Sequence, residues 1–369
     1  MSGATLIVDR APLDRRLECV LEPGSGGTLF VLVHGTWARH APWTNQKGQL
    51  AQALLQEWPN AGIFAFRWRG FNRLTARLRA SEELAAAIGS LRSRYPQCRI
   101  IVIAHSHGGN IAAWATTATP DVDTVVYLNT PFLRVIRTPA PAMSTICSFG
   151  VLAPFNRVDP ILFLLQGVLG LLVMIIGVPL MLLSRSLGPF AIFTAFIIVV
   201  LLSYLMLRGS FQLTGRVRAA QRDLVRLTDA QRLVRRELVV GATGDEALTG
   251  LTTANAAIAV LGKLTRRPLR SLSAATQYLA DDVGPFALLF LVLLGFVMVP
   301  FAFMIGLAMI AYGPVQGLMA AEITLATTAF PKGVTDTLSV DVRTDHGLKH
   351  SLVYDEPEIL EKIVQWLQK

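Results

Sequence analysis

The chain has 369 residues, of which 52% are hydrophobic and 16% are charged, with a formal net charge of +9 and a mean hydropathy of +0.48. This composition is too apolar for an ordinary soluble protein. Its three cysteines form no C-x-x-C pair, and neither a phosphate-binding loop nor a dinucleotide fingerprint occurs. These patterns indicate no zinc site, no disulfide framework and no nucleotide, so we expect neither a metal nor a cofactor.

The first strong element is an apolar run that begins at Thr28 and ends in the sequence His-Gly-Thr-Trp at positions 34–37. Unbroken apolar runs are typical of parallel strands that are buried on both faces. The segment 66–72, Phe-Arg-Trp-Arg-Gly-Phe-Asn, precedes an Arg-rich helical pattern. The sequence therefore predicts a buried parallel sheet in the first part of the chain.

The most informative stretch is residues 99–112, where a β-branched run stops at Ser106 and a helical pattern follows at once. Small residues at Ala104 and Gly108 allow the strand and the helix to approach each other at this turn. Such a turn lifts the serine Oγ above the carboxyl end of the sheet and is typical of a nucleophile elbow. Ala104 departs from the G-x-S-x-G pattern at its first position, which a methyl group usually permits.

In order and spacing, these segments and the strand that exits at Thr130-Pro131 resemble the α/β-hydrolase superfamily, in its lipase and esterase branch. The resemblance implies an α/β fold, with a hydrolase sheet covered by helices on both faces. It also implies a serine nucleophile, an acid and a histidine in that chain order. Two backbone N–H groups would form the oxyanion hole, and we expect further residues of these loops to line the substrate pocket. The expected donors are His107 and either Thr36 or Trp37, and the expected pocket residues are His34, Gly35 and His105.

The acid expected from the resemblance is Asp245, on a Gly-rich loop that follows the apolar strand 237–242. Its neighbour Glu246 is the alternative carboxylate. The expected histidine is His350, between the alternating segment 338–342 and an amphipathic helix that begins at Pro357. His346, four residues earlier, is the alternative histidine.

Two charge-free runs, 161–183 and 187–207, are about 23 and 21 residues long, which is enough to span a bilayer. A third apolar block covers about residues 284–330, with breaks at Pro300 and Gly313-Pro314. Because Asp245 and His350 must meet in one site, the chain between them must start and end on the same side of the membrane. A hairpin, a re-entrant segment or a surface-lying segment would each satisfy that condition, and the sequence leaves the choice open.

These runs predict one catalytic domain that is interrupted twice. The predicted segments are 1–131 and 209–250, which belong to the hydrolase domain, 132–208 and 251–330, which are the insertions, and 331–369, which carries the histidine. The basic residues that follow the second run favour an integral protein of the inner or plasma membrane, with its catalytic domain in the cytosol. The first 16 residues contain no apolar signal-peptide region. We interpret the net positive charge as a means of attraction to anionic lipid headgroups and not as a sign of nucleic-acid binding.

The sequence therefore predicts a membrane-embedded serine hydrolase that cleaves esters of lipids or other apolar acyl groups through an acyl-enzyme. A thioesterase acting on acylated proteins or other acyl thioesters would use the same residues. The alternative of a different class is a catalytically silent membrane protein with a hydrolase-like fold that binds lipid or partners. The sequence does not indicate the acyl chain, the headgroup or the oligomeric state.

Overall fold

The computed structural model describes residues 13–24, 27–137, 182, 189–261, 303–313, 319, 323–331, 333–334, 336–342 and 348–369. The chain forms two compact units. The first unit contains the main sheet and comprises Met1–Val135, Leu224–Ala254 and Leu325–Lys369. The second unit comprises Ile136–Asp223 and Asn255–Thr324.

Nine strands are present in the described part of the chain. They are β1 (Leu17–Leu21), β2 (Thr28–Val33), β3 (Gly62–Phe66), β4 (Arg99–His105), β5 (Thr124–Leu128), β6 (Phe132–Arg137), β7 (Arg236–Ala242), β8 (Ile323–Thr328) and β9 (Asp336–Val340). Seven of them form one sheet in the order β1-β3-β2-β4-β5-β7-β9, and β6 pairs with β8 separately. In the large sheet β1 runs antiparallel to β3, and all other neighbours are parallel.

The helices with defined bounds are α1 (Gln49–Glu57), α2 (Leu74–Arg94), α3 (His107–Ala115), α4 (Pro189–Asp229), α5 (Lys349–Leu352) and α6 (Pro357–Gln368). A 3-10 turn covers Pro42–Thr44, and residues 246–261 and 303–312 are also helical. Helix α6 begins at Pro357, as predicted, because proline fits the first turn of a helix, where its missing N–H is not needed. Its apolar face is buried through Ile359, Leu360, Ile363, Val364 and Leu367.

The large sheet is covered on both faces, which explains why its central strands are apolar at every position. In β2, Leu29, Val31 and Val33 pack into a cluster with side chains of α2 and α3. The alternate residues Phe30 and Leu32 pack on the opposite face with side chains of α1 and α6. Burying each such side chain contributes about 2 kcal/mol, so the two clusters make the sheet a rigid platform.

Because β2, β4, β5, β7 and β9 are parallel, their carboxyl ends lie at one edge of the sheet. Loops that follow such strands converge at this edge, where ligands of open α/β sheets bind. Ser106 follows β4, Asn129 follows β5 and Asp245 follows β7 within three residues.

The predicted membrane segments are only partly described. The stretch 187–207 does not form a separate element, since most of it belongs to α4, which continues through the Arg-rich stretch to Asp229. No proline lies between the apolar half of α4 and its basic half, and the helix continues through Gly209 and Gly215. Among the residues that the structure describes, no helix has both the length and the apolar character needed to cross a membrane. The stretch 161–183, except Leu182, and most of 284–330 lie outside the described residues.

Candidate active site

Ser106 occupies a strained backbone position between β4 and α3. Its φ and ψ angles are 55° and −134°, which few residues other than glycine adopt. Two hydrogen bonds hold the turn, since the Ser106 N–H donates to the Leu128 carbonyl at 2.9 Å and the Gly109 N–H donates to the Ser106 carbonyl at 2.9 Å. Strain of this kind persists only where the surroundings enforce it, so it marks the serine as a candidate functional residue.

Two glycines allow the chain to approach closely around this serine. A Cβ at Gly108 would lie 2.5 Å from the His34 carbonyl oxygen, and a Cβ at Gly35 would lie 2.8 Å from the Ser106 Cβ. Both distances are shorter than real Cβ contacts. The loop after β2 therefore rests directly against the serine turn.

Two backbone N–H groups near Ser106 are available as donors. His107 is the first residue of α3, and the first N–H groups of a helix have no partner within it. The Thr36 N–H makes no hydrogen bond within the described part of the chain. The Trp37 N–H, in contrast, donates to the Gly70 carbonyl at 2.9 Å. Of the two donors considered for the loop after β2, the structure leaves Thr36 free and engages Trp37.

The predicted acid and histidine lie side by side. Nδ1 of His350 is 2.9 Å from both Oδ1 and Oδ2 of Asp245, and both side chains are largely buried. Asp245 Oδ1 also accepts the N–H groups of Ala247 and Leu248 at 2.8 and 3.1 Å. Burial acts to raise the pKa of Asp245, but the hydrogen bond and charge of His350 and these two N–H groups outweigh it, so the pKa is lowered. The carboxylate is therefore ionised beside the imidazole.

Glu246 has a different place in the site. Its carboxylate oxygens accept the backbone N–H groups of Lys349 and His350, each at 3.2 Å. Glu246 therefore binds the backbone of the segment that carries His350, which we call the histidine loop, while Asp245 binds the imidazole ring of His350. The alternative His346 lies outside the described residues.

His105 contacts the histidine loop directly, although the sequence suggested only that it lines the pocket. Its Nε2 donates to the His350 carbonyl at 2.9 Å, and the centroids of the two rings are 4.9 Å apart. His105 is buried against Trp43 and Tyr354, and its Nδ1 makes no hydrogen bond within the described residues. Burial lowers the pKa of His105 to about 3, so the ring is neutral.

Asn129 is a site residue that the sequence did not indicate. Its Nδ2 donates to the His350 and Lys349 carbonyls at 3.0 and 3.3 Å, and its Oδ1 accepts the Ala242 N–H at 2.7 Å. Its φ angle of 43° is one that asparagine tolerates better than most side chains. The only signal in the sequence is an asparagine directly after a buried strand.

His34 lies beneath the loop after β2 and not in an open pocket, contrary to the expectation. It is fully buried, its Nδ1 donates to the Gly35 carbonyl at 2.7 Å, and its ring stacks on Trp68 at 5.4 Å. Burial lowers its pKa to about 4. A neutral, buried His34 therefore supports the loop that carries Thr36.

In chemical terms, this edge of the sheet combines a serine on a strained turn, an imidazole beside a carboxylate and two backbone N–H groups that have no hydrogen-bond partner in the described part of the chain. These are the parts that acyl transfer requires. Among the described residues, no group of three or more His, Cys, Asp or Glu side chains is arranged to hold a metal ion.

Known proteins resemble this chain to different degrees. A lipase-esterase related protein from Clostridium acetobutylicum ATCC 824 is 18% identical, with 31% of this chain and 47% of that chain covered and a TM-score of 0.25. The wild-type structure of DBJA is 13% identical, with 63% of this chain and 80% of that chain covered and a TM-score of 0.26. The chain thus spans about half the length of the first of these structures. No curated protein matches its sequence.

The family comparison covers much more of the chain. Residues 30–289 match the alpha/beta hydrolase family, which is more than half of the sequence and includes β4, β5 and β7. This match agrees with the parallel sheet and with the serine turn at its carboxyl edge. The chain belongs to the alpha/beta hydrolase family.

Proposed function

We propose that this protein is a serine hydrolase that cleaves carboxylic esters of lipids or other apolar acyl groups. Ser106 is the nucleophile, His350 the general base and Asp245 the acid that orients it. The observation that supports this assignment most strongly is the 2.9 Å pairing of His350 Nδ1 with Asp245 at the sheet edge that carries Ser106. With Nδ1 held by the carboxylate, Nε2 is the nitrogen left to accept a proton.

In the first half-reaction, Ser106 Oγ attacks the ester carbonyl carbon while His350 Nε2 takes the hydroxyl proton. The carbonyl oxygen becomes an oxyanion, which the His107 and Thr36 N–H groups stabilise. The intermediate then collapses, the bond to the alcohol oxygen breaks, and His350 returns its proton to the departing alcohol. An acyl-Ser106 ester remains.

In the second half-reaction, water replaces the alcohol. His350 takes a proton from the water as its oxygen attacks the acyl carbon, and the resulting intermediate releases the carboxylic acid and regenerates the Ser106 hydroxyl. The neutral, buried rings of His34 and His105 fit this scheme, because neither places a competing positive charge beside His350.

We propose further that the enzyme acts at a membrane and that its substrate arrives from lipid. The apolar half of α4 supports this proposal, since its described large apolar side chains are exposed. These side chains are Phe193, Ile197, Ile198, Leu201, Tyr204 and Leu205. The Arg-rich half of the same helix favours an inner or plasma membrane with the catalytic unit on its cytosolic side.

A fluorophosphonate probe tests the nucleophile directly. We expect the full-length protein in detergent to be labelled at Ser106, the Ser106→Ala variant to lose labelling, and the Ser93→Ala variant, with its exposed serine on α2, to be labelled like the wild type. A folded wild type that is not labelled would indicate a silent scaffold and would contradict the proposal.

Substrate class requires a second measurement, because esters and thioesters use the same residues. Turnover of a panel of lipid esters should exceed turnover of acyl thioesters with matched chains. If thioesters are cleaved faster, the protein is a thioesterase and the ester assignment is wrong.

A further inference from the structure

A cavity with a volume of about 610 Å³ lies in the first unit, and its lining does not include Ser106, Asp245 or His350. Seven of the residues that line it are arginines and one, Glu83, is acidic. The cavity lies between the end of β3, the start of α2 and the segment before β1. Such a concentration of guanidinium groups around a concave surface attracts anions.

Part of this positive charge is neutralised within the protein. Glu83 accepts hydrogen bonds from both Arg16 and Arg79 at 2.9 Å, so one carboxylate is shared by two cations. Arg67 pairs with Glu18 at 2.5 Å and also donates to Thr44 Oγ1 at 2.7 Å. These contacts fix the side chain of Arg67 before any ligand arrives.

Four of the seven arginines have no carboxylate partner among the described residues. Arg15, Arg39, Arg69 and Arg73 are exposed and form no ion pair within the described part of the chain. A guanidinium has its donors in a fixed fork that matches two oxygens of a phosphate. The cavity therefore contains several guanidinium groups without an ion-pair partner among the described residues, next to the side chain of Arg67, which is already fixed.

The wall of this cavity is connected to the catalytic loop. Trp68, a buried lining residue, donates from Nε1 to the His34 carbonyl at 2.8 Å and stacks on the His34 ring. His34 precedes Gly35, whose backbone lies against Ser106. One loop therefore separates the arginine cavity from the nucleophile.

Exposed aromatic side chains lie beside the cavity. Trp37 is 81% exposed and Phe71 is 50% exposed. The Trp37 N–H is bonded to the Gly70 carbonyl at 2.9 Å, which brings the two segments together. Exposed aromatic rings next to basic residues are typical of surfaces that meet lipid headgroups.

We propose that the arginine cavity binds the phosphate of an anionic phospholipid whose acyl ester is cleaved at Ser106. This assignment of substrate class rests on the proposed function. The phosphate lies among Arg39, Arg69 and Arg73, and the apolar part of the lipid contacts Trp37 and Phe71. The enzyme then prefers anionic phospholipids to zwitterionic ones, whose choline group brings a compensating positive charge.

The first test is the specificity of the full-length enzyme. In the Arg69→Gln/Arg73→Gln variant, we expect the ratio of kcat/KM for phosphatidylglycerol to that for phosphatidylcholine, with the same short acyl chains, to fall about 10-fold. The matched control is Lys47→Gln/Lys369→Gln, which removes the same charge from exposed positions of the first unit outside the cavity and keeps the wild-type ratio. Equal falls in the two variants would mean diffuse attraction and would overturn the proposal.

The second test does not need turnover. Both pairs of substitutions are placed in the Ser106→Ala protein, and binding is measured to vesicles of phosphatidylcholine alone and of an equimolar mixture with phosphatidylglycerol. Weaker binding to the mixed vesicles in the cavity variant alone supports the site even if no ester is ever cleaved, in which case the proposed function fails separately. If the cavity substitutions instead weaken binding of inorganic phosphate and leave vesicle binding unchanged, the ligand is a soluble phosphate and the phospholipid assignment is wrong.

Discussion

Nδ1 of His350 lies 2.9 Å from both carboxylate oxygens of Asp245, although 105 residues separate the two in the chain. The pair forms because β7 and β9 are neighbouring parallel strands, so that the loops after them meet at one edge of the sheet. In the function that we propose, this carboxylate fixes the tautomer of the imidazole and stabilises the imidazolium that forms during the reaction.

Asp245→Asn should lower kcat by about 10³- to 10⁴-fold with little change in folding stability, because an amide favours the wrong tautomer of His350. Steady-state hydrolysis of a soluble ester and thermal unfolding measure the two quantities. The matched control is Glu246→Gln, whose side-chain oxygen still accepts one backbone N–H of the histidine loop. We expect this control to retain most of its activity, and a larger loss in Glu246→Gln than in Asp245→Asn would reverse the assignment of the acid.

Asn129→Asp should lower kcat about 10- to 100-fold while KM stays close to the wild-type value, because a displaced general base affects the chemical step. The substitution keeps an acceptor for the Ala242 N–H but loses both donors to the Lys349 and His350 carbonyls. Asn60→Asp, at an exposed position, is the control for the added charge. An unchanged kcat would show that Asn129 has no positioning role.

Gly108→Ala should destabilise the protein by about 1–3 kcal/mol, because the added methyl group meets the His34 and Val33 carbonyl oxygens. Gly89→Ala is the matched control, since a Cβ there meets nothing within 4 Å and the residue lies inside α2. We expect this change to stabilise the protein by about 0.5–1 kcal/mol. Equilibrium unfolding in denaturant compares the two, and shifts of the same sign would contradict the close approach described for the serine turn.

Acidification should destabilise the protein through its buried histidines. Burial lowers the pKa of His105 to about 3, whereas the same side chain in the unfolded chain titrates near 6.5. Between these values the unfolded state binds the proton and the folded state does not, so stability falls as the pH falls below 6.5. Each buried neutral histidine contributes a slope of about 1.4 kcal/mol per pH unit in this window.

The measurement is the free energy of unfolding between pH 6.5 and 4.5, which avoids the range in which Asp245 titrates. His105→Gln should show a shallower dependence on pH than the wild type, because glutamine retains a donor near the position of Nε2 without titrating. The same slope in both proteins would show that His105 is not buried in its neutral form.

The sheet and the serine turn at its carboxyl edge were predictable because they depend on local patterns. An unbroken β-branched run followed by Ser106 and Gly108 requires a buried strand, a tight turn and a closely packed helix, and β4 and α3 lie where this pattern places them. The face of α6 follows equally from its helical periodicity. The bounds of the helix that contains the apolar stretch 187–207 could not be predicted in the same way, because hydropathy alone does not show that α4 continues to Asp229.

The amino-acid sequence by itself determined which residue types are available at the edge of the sheet, since strand and turn propensities act over a few neighbouring residues. Only the tertiary structure decided which of them meet. It placed Asp245 against the imidazole and Glu246 against the loop backbone, engaged the Trp37 N–H with Gly70, and brought Asn129 to the His350 carbonyl. These contacts join segments that are far apart in the chain, so they depend on how parallel strands bring distant loops together and leave no local pattern in the sequence.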